Sequence, residues 1–143
     1  MQSTKDKFEP AEIKDLLNTS IIGRDIIYYE KIDSTNKTAI NIANNGAVEG
    51  TVILTDEQTK GRGRLNRSWI SEPYANITMS LIIRLSLSVD KSFYLTMIAS
   101  IALVKAIKKI TCLKTLIKWP NDIYYNNKKL SGILTELKFD QSL

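Results

Sequence analysis

Between Lys91 and Lys105 lies the longest apolar stretch of this chain, Phe93 to Val104. At about 12 residues it is too short to cross a bilayer, which takes about 20. Read on to Ile110, it is a long helix from Ser92, apolar nearly all round in its first turns. Such a helix is expected at the buried centre of the fold. Just before it, Asn76 to Leu85 alternates, with Ile77, Met79, Leu81, Ile83 and Leu85 pointing one way, as in a half-buried strand. Ile26 to Ile32 reads as a strand rich in Ile and Tyr, and Thr51 to Asp56 as a buried strand. Leu116 to Trp119 is a further strand. Ile123 to Tyr125 and Lys129 to Lys138 read as a hairpin closed around Asn126-Asn127, residues that tolerate a left-handed turn. Phe8 to Asn18 is a short amphipathic helix with Pro10 in its first turn and Ile13, Leu16 and Leu17 on one face. Ser34-Thr35-Asn36 offers the cap of a helix reaching Asn44, with Ile40 and Ala43 inward and Gly46 as its stop. Strands first, one long helix, then a hairpin predict an α+β fold with a mixed, mainly antiparallel sheet and packed helices.

Composition narrows the chemistry. The 143 residues suffice for one domain with a real core. There is no histidine, which excludes Ser-His-Asp and Cys-His catalysis and every His-ligated metal site within the chain. Clamping of anions by Arg, Lys and Mg²⁺ stays open. Cys112 is the single cysteine and cannot form an internal disulfide; it reads as a small core residue. With no leader at its start, the chain is expected in the cytoplasm and off the membrane. The net charge of +5 could signal nucleic acid. The basic residues are spread along the chain, however, and no Lys/Arg stripe with interleaved aromatics appears.

The exception to that spread is one run, Gly61-Arg62-Gly63-Arg64-Leu65-Asn66-Arg67-Ser68-Trp69. Glycine permits positive φ and close approach of backbone to a ligand. Each Arg carries a planar fork matched to carboxylate or phosphate. The loop suits a small anion, although a solvated basic turn would look the same. A second run, Lys118-Trp119-Pro120-Asn121-Asp122, leads to Lys129-Leu130-Ser131-Gly132-Ile133-Leu134. An apolar strand delivers a Lys, Pro ends the ladder, and polar groups follow at the strand end.

With Asp33-Ser34-Thr35-Asn36 and Gln58 added, these motifs resemble those of the biotin protein ligases, in the family's order and at roughly its spacing. The likeness runs from about Gly23 to Phe139, and it implies the fold shared by biotin and lipoate ligases and, more distantly, by class II aminoacyl-tRNA synthetases. Residues 1–22 would be a helical lead-in and 23–143 the catalytic domain. The implied reaction joins biotin to ATP as biotinyl-5′-AMP and passes it to a lysine of a biotin carboxyl carrier protein. By this resemblance Ser34 and Thr35 bind the ureido ring of biotin, with Asn36 at the same cluster. Gln58 joins them, its amide able both to donate and to accept. Arg62, Gly63 and Arg64 hold the biotin carboxylate and then the adenylate phosphate, assisted by Arg67, while Trp69 is a pocket wall or a core residue. Lys129 binds both carboxyl and phosphate, and Lys118 serves nearby. Arg64, Lys129 and Lys118 are thus the catalytic candidates. Asp122 would ligate Mg²⁺ or orient the lysines, and Gly132 would let its strand approach biotin.

Two departures from the family shape the expectation. Few residues precede the first strand, which leaves no room for the winged helix-turn-helix of some members, so no DNA binding is expected. The chain also stops at Leu143, before the family's Gly-Ile-Asn strand and C-terminal barrel, so it reads as a shortened catalytic domain. A lipoate or octanoate ligase and a non-catalytic biotin-binding fragment are the alternatives. The oligomeric state, a homodimer included, is left open.

Overall fold

A computed structural model describes residues 7–84, 88 and 91–138. The chain divides into two compact units, Met1–Arg62 with Asn66–Leu85, and Gly63–Leu65 with Ser86–Leu143.

In the first unit, α1 (Pro10–Leu16) precedes β1 (Ile26–Ile32), α2 (Thr35–Asn44), β2 (Val52–Gln58) and β3 (Thr78–Leu81). The sheet order is β1-β2-β3, with β1 parallel to β2 and β3 antiparallel to β2. The crossover helix α2 covers one face, where Ala39, Ile53 and Ile82 form a core with Tyr29, Ile32, Ile42, Ala43 and Ala47 around it. Gly46 takes φ 90° beyond the end of α2, as its place after the last helical turn requires. In the second unit, α3 (Phe93–Thr111) packs on an antiparallel meander of β4 (Leu116–Lys118), β5 (Asp122–Tyr125) and β6 (Lys128–Gly132). Asn126 and Asn127 take φ 47° and 60°, the paired left-handed residues of a two-residue hairpin loop. One mixed and one antiparallel sheet with packed helices is the α+β architecture expected.

Several expectations need correction. The strand 76–85 shortens to β3, and its parity is reversed: Thr78, Ser80 and Ile82 face the core side, while Met79 is 58% and Ile77 75% exposed. The inward side carries a hydrogen-bonding cluster that needs Ser80, which overrides the apolar alternation. Leu85 lies outside the described residues. The long helix is not a buried centre, since Ser100 is its only buried residue and Ile98 is 62% exposed. Its 19 residues run about 28 Å, whereas strands of three to five residues span only about 10–17 Å, so the meander covers one stripe of it. In α1 nothing is buried and Leu16 is exposed. The lone Cys112 is exposed too, at the left-handed C-cap of α3. The final strand ends at Gly132, not Lys138, and β2 runs on to include Gln58. In α2 Ala39 is buried and Ala43 packs against the core as expected, whereas Ile40 is only half-buried.

Candidate functional site

In the first unit, parallel β1 and β2 end side by side, and their ends deliver Ser34-Thr35-Asn36 and Gln58. Ser34 and Thr35 are buried, and Ser34 caps α2 by backbone geometry alone, making no side-chain cap bond. The free N–H groups of the first helical turn need partners. Here Gln58 supplies one: its Oε1 accepts from the Thr35 backbone N–H at 2.8 Å and from Thr35 Oγ1 at 3.1 Å. Ser80 Oγ lies 2.8 Å from Thr35 Oγ1 and also reaches Asn36 Oδ1. The Gln58 backbone N–H donates to Ser71 Oγ at 3.2 Å. The four residues expected together are therefore together, joined by Ser71 and Ser80, which sequence reasoning missed. The polar residues at 78 and 80, interleaved with the apolar ones, were the available signal.

This geometry fixes the orientation of Gln58. With Oε1 doubly engaged, the amide orientation is set, and Nε2 faces the Gly61 backbone. Gln58 offers donors beyond the cluster, rather than the mixed donor and acceptor expected.

The basic loop starts from the same place. Gly61 O accepts from the Trp69 N–H at 2.9 Å, and Arg62 bridges Ser68. A Cβ on Gly61 would sit 2.3 Å from the Trp69 carbonyl oxygen. Close approach, not positive φ, thus requires this glycine; the left-handed backbone falls instead on Leu65 and Asn66, at φ 56° and 58°. Gly61→Ala is expected to force this pinch apart, destabilising the chain by about 1–3 kcal/mol and making the Arg62–Trp69 segment protease-sensitive. An unchanged digestion pattern and melting temperature would show that the loop is not held at Gly61. Arg62, Arg64 and Arg67 are exposed, and Trp69 is half-buried.

Beside this cluster Tyr28 donates to Asp56, which is buried with Oδ1 lacking a hydrogen-bond partner among the described residues. Burial, then the Asp56 bond, hold the Tyr28 phenol well above its usual range. Lys37 pairs with Asp33 at 2.6 Å and keeps its carboxyl below the ordinary value.

In the second unit the sheet register sets Lys118, Asp122 and Gly132 in one row across β4, β5 and β6. Lys129 Nζ meets Asp122 Oδ1 at 2.7 Å. Asn121 Nδ2 donates to the same Oδ1 and to the Ile133 carbonyl, each at 3.1 Å, and Arg64 Nη1 donates to Asn121 Oδ1 at 2.8 Å. The backbone repeats the link, Ile133 N–H to Asn121 O at 2.9 Å. Arg64, Asn121, Asp122 and Lys129 thus form one chain of alternating donors and acceptors. Asn121 is its hub, a role its place in the motif did not disclose. Lys118, paired with Asp122 in the ladder, has its Nζ 5.0 Å from the centre of the Tyr124 ring. Opposite Asp122 in the ladder stands Gly132, which carries no side chain. A cleft of ≈ 150 Å³ beside Arg64 is lined by Phe93, Thr96, Pro120 and Ile133–Thr135.

Among the described residues no three His, Cys, Asp or Glu side chains cluster for a metal. Asp122 is one hard-oxygen donor, enough for Mg²⁺ only where phosphate oxygens and water complete the shell. Its observed partners fit the lysine-orienting role directly.

Residues 28–143 match the model of the "Biotin/lipoate A/B protein ligase family". The bifunctional ligase/repressor BirA of Bacillus subtilis is 43% identical over 135 residues, covering 94% of this chain and 42% of that protein. The biotin–[acetyl-CoA-carboxylase] ligase of Mycobacterium tuberculosis is 29% identical, over 93% of this chain and 54% of that one. Among solved structures, the Aquifex aeolicus biotin protein ligase in complex with biotin and ATP matches with a TM-score of 0.65 at 31% identity, over 80% of this chain and 47% of that one. The Leishmania major enzyme with biotinyl-5-AMP gives a TM-score of 0.70 at 27% identity, over 80% and 53%. Sequence and fold together place the chain in one ligase class. The chain belongs to the biotin/lipoate A/B protein ligase family, as a catalytic-domain sequence of the biotin protein ligase type. It spans about two fifths of the length of the Bacillus relative, 42%. No helix among the described residues is long and apolar enough to cross a membrane.

Proposed function

We propose that this chain binds biotin and ATP, joins them as biotinyl-5′-AMP, and passes the biotinyl group to a lysine of a biotin carboxyl carrier protein. The observation that carries this reading is the chain Arg64–Asn121–Asp122–Lys129, built on a strand end and a hairpin. When the biotin carboxylate attacks the α-phosphorus of ATP, two anions must meet and pyrophosphate must leave. Fixed cations offset that repulsion. Lys129, held by Asp122, and Arg64, held by Asn121, are cations already oriented before ligand arrives. Arg62 and Arg67, in the same basic run of the sequence, are further candidates for anion binding by the family resemblance. Lys118 lies on the Tyr124 ring, outside that chain. The donor face of Gln58 fits the ureido carbonyl, with Ser34, Thr35 and Asn36 as its polar neighbours. Magnesium bound with ATP would neutralise further phosphate charge, with Asp122 as its protein ligand. In the second step the carrier lysine's amine attacks the acyl carbon, the C–O bond to phosphate breaks, AMP leaves with that electron pair, and the amine loses a proton.

The test offers the 143-residue chain MgATP with equal biotin, lipoate and octanoate and reads acyl-adenylates by mass spectrometry. Biotinyl-AMP alone is the expected product. Lipoyl- or octanoyl-AMP would assign the chain to the other branch of its family, and biotin binding without any adenylate would make it a binding module.

A further inference from the structure

The one buried residue of α3 is a polar one. Ser100 is 0% exposed, in the middle of a helix whose neighbouring positions are largely apolar. A serine hydroxyl in that place ordinarily bonds back to the carbonyl four residues earlier, and Ser100 Oγ does lie 2.9 Å from the Thr96 carbonyl. It also lies 3.0 Å from the carbonyl oxygen of Pro120, twenty residues on. Pro120 immediately precedes Asn121. The peptide whose oxygen Ser100 holds is the Pro120–Asn121 peptide itself, so Ser100 anchors the backbone from which the Asn121 side chain springs. From Asn121 the bonds run outward to Arg64, Asp122 and Ile133, and from Asp122 to Lys129.

We propose that Ser100 is a positioning residue: its hydroxyl fixes the Pro120–Asn121 peptide and so aims the Arg64 guanidinium and the Lys129 ammonium at the reacting phosphate. The inference rests on the ligase reading above. It explains why a helix that needs apolar residues to pack spends its one buried position on a hydroxyl. Ser100 touches no ligand in this account and acts only through Asn121. Alanine at 100 keeps the helix and nearly the shape of the side chain, while removing the donor to Pro120. Asn121 then shifts on a carbonyl that nothing holds, and both cations lose their aim.

The test uses the whole chain and two readouts. First, the Asn121 side-chain amide is observed by ¹H–¹⁵N NMR in the ligand-free protein, assigned by its loss in Asn121→Ala. Ser100→Ala is expected to move that pair of signals, and Ser100→Thr, which keeps a hydroxyl, to leave it near the parent position. An Asn121 amide unmoved in Ser100→Ala would overturn the proposal. Second, single-turnover biotinyl-AMP formation is measured in Ser100→Ala, Asn121→Ala and the double variant. Ser100→Ala is expected to slow the step about tenfold, yet to slow Asn121→Ala by less than about twofold further. Full additivity would give Ser100 a general helix-stabilising role and overturn the proposal. A parent chain that forms no adenylate would overturn the catalytic reading, while the NMR readout still decides whether Ser100 positions Asn121.

Discussion

Lys129→Ala is expected to reduce biotinyl-AMP formation by about 10²–10³-fold. The variant loses a cation at the phosphate, but that is only part of the effect. Lys129 is also the counter-charge of Asp122, 2.7 Å away, in a pair whose side chains are 35% and 22% exposed. Without the ammonium, a half-buried carboxylate faces the incoming biotin carboxylate and ATP phosphates and repels both. The second half of the prediction follows. Adding Asp122→Asn to Lys129→Ala removes the repelling charge and should recover part of the lost rate, so the double variant is faster than the product of the single effects predicts. Single-turnover kinetics at saturating ATP measure both. A Lys129→Ala rate within about threefold of the parent would remove Lys129 from the chemistry.

Gln58→Glu should separate binding from folding. Glutamate is the same shape and keeps the oxygen that accepts from the Thr35 N–H and hydroxyl. A carboxylate at the first turn of a helix is favoured there besides. The melting temperature should therefore hold or rise. The substitution removes the Nε2 donors and puts a negative charge where the ureido carbonyl is to be received. Biotin affinity is expected to fall about a hundredfold or more, as when a binding site loses the polar partner its ligand requires. Titration calorimetry with biotin checks it. Affinity unchanged in a stable protein would mean that the Gln58 amide caps α2 and touches no ligand.

Much of the local structure was legible in the residues. The run rich in Ile and Tyr set β1 within its observed bounds, Gly46 stopped α2, and Asn126-Asn127 closed the hairpin with left-handed backbone, as their chemistry allows. Burial was read less well. Ile77, Met79, Leu81 and Ile83 share one face, but which face of a strand turns inward depends on what the next layer offers. Here α2 offers a serine–threonine–asparagine cluster that calls for Ser80. Apolar character around α3 likewise said that the helix would gain by being covered, and could not say how long the strands beneath it would be.

The candidate site divides along the same line. Residue type and motif spacing alone marked the candidates for the proposed chemistry: Gln58, the arginines of the loop, Asp122 and Lys129 stand in motifs that resemble those of biotin-type ligases. Tertiary structure decided how they are aimed. A side-chain amide has two ends, and only the Thr35 N–H shows which end of Gln58 faces outward. Asn121 becomes a hub because Arg64, distant in sequence, arrives 2.8 Å from its carbonyl oxygen. Ser100 matters because a buried hydroxyl on one element meets the carbonyl of another. Hydrogen bonds are short-ranged and directional, so partners far apart in the chain become visible only once folding has set their distances and angles.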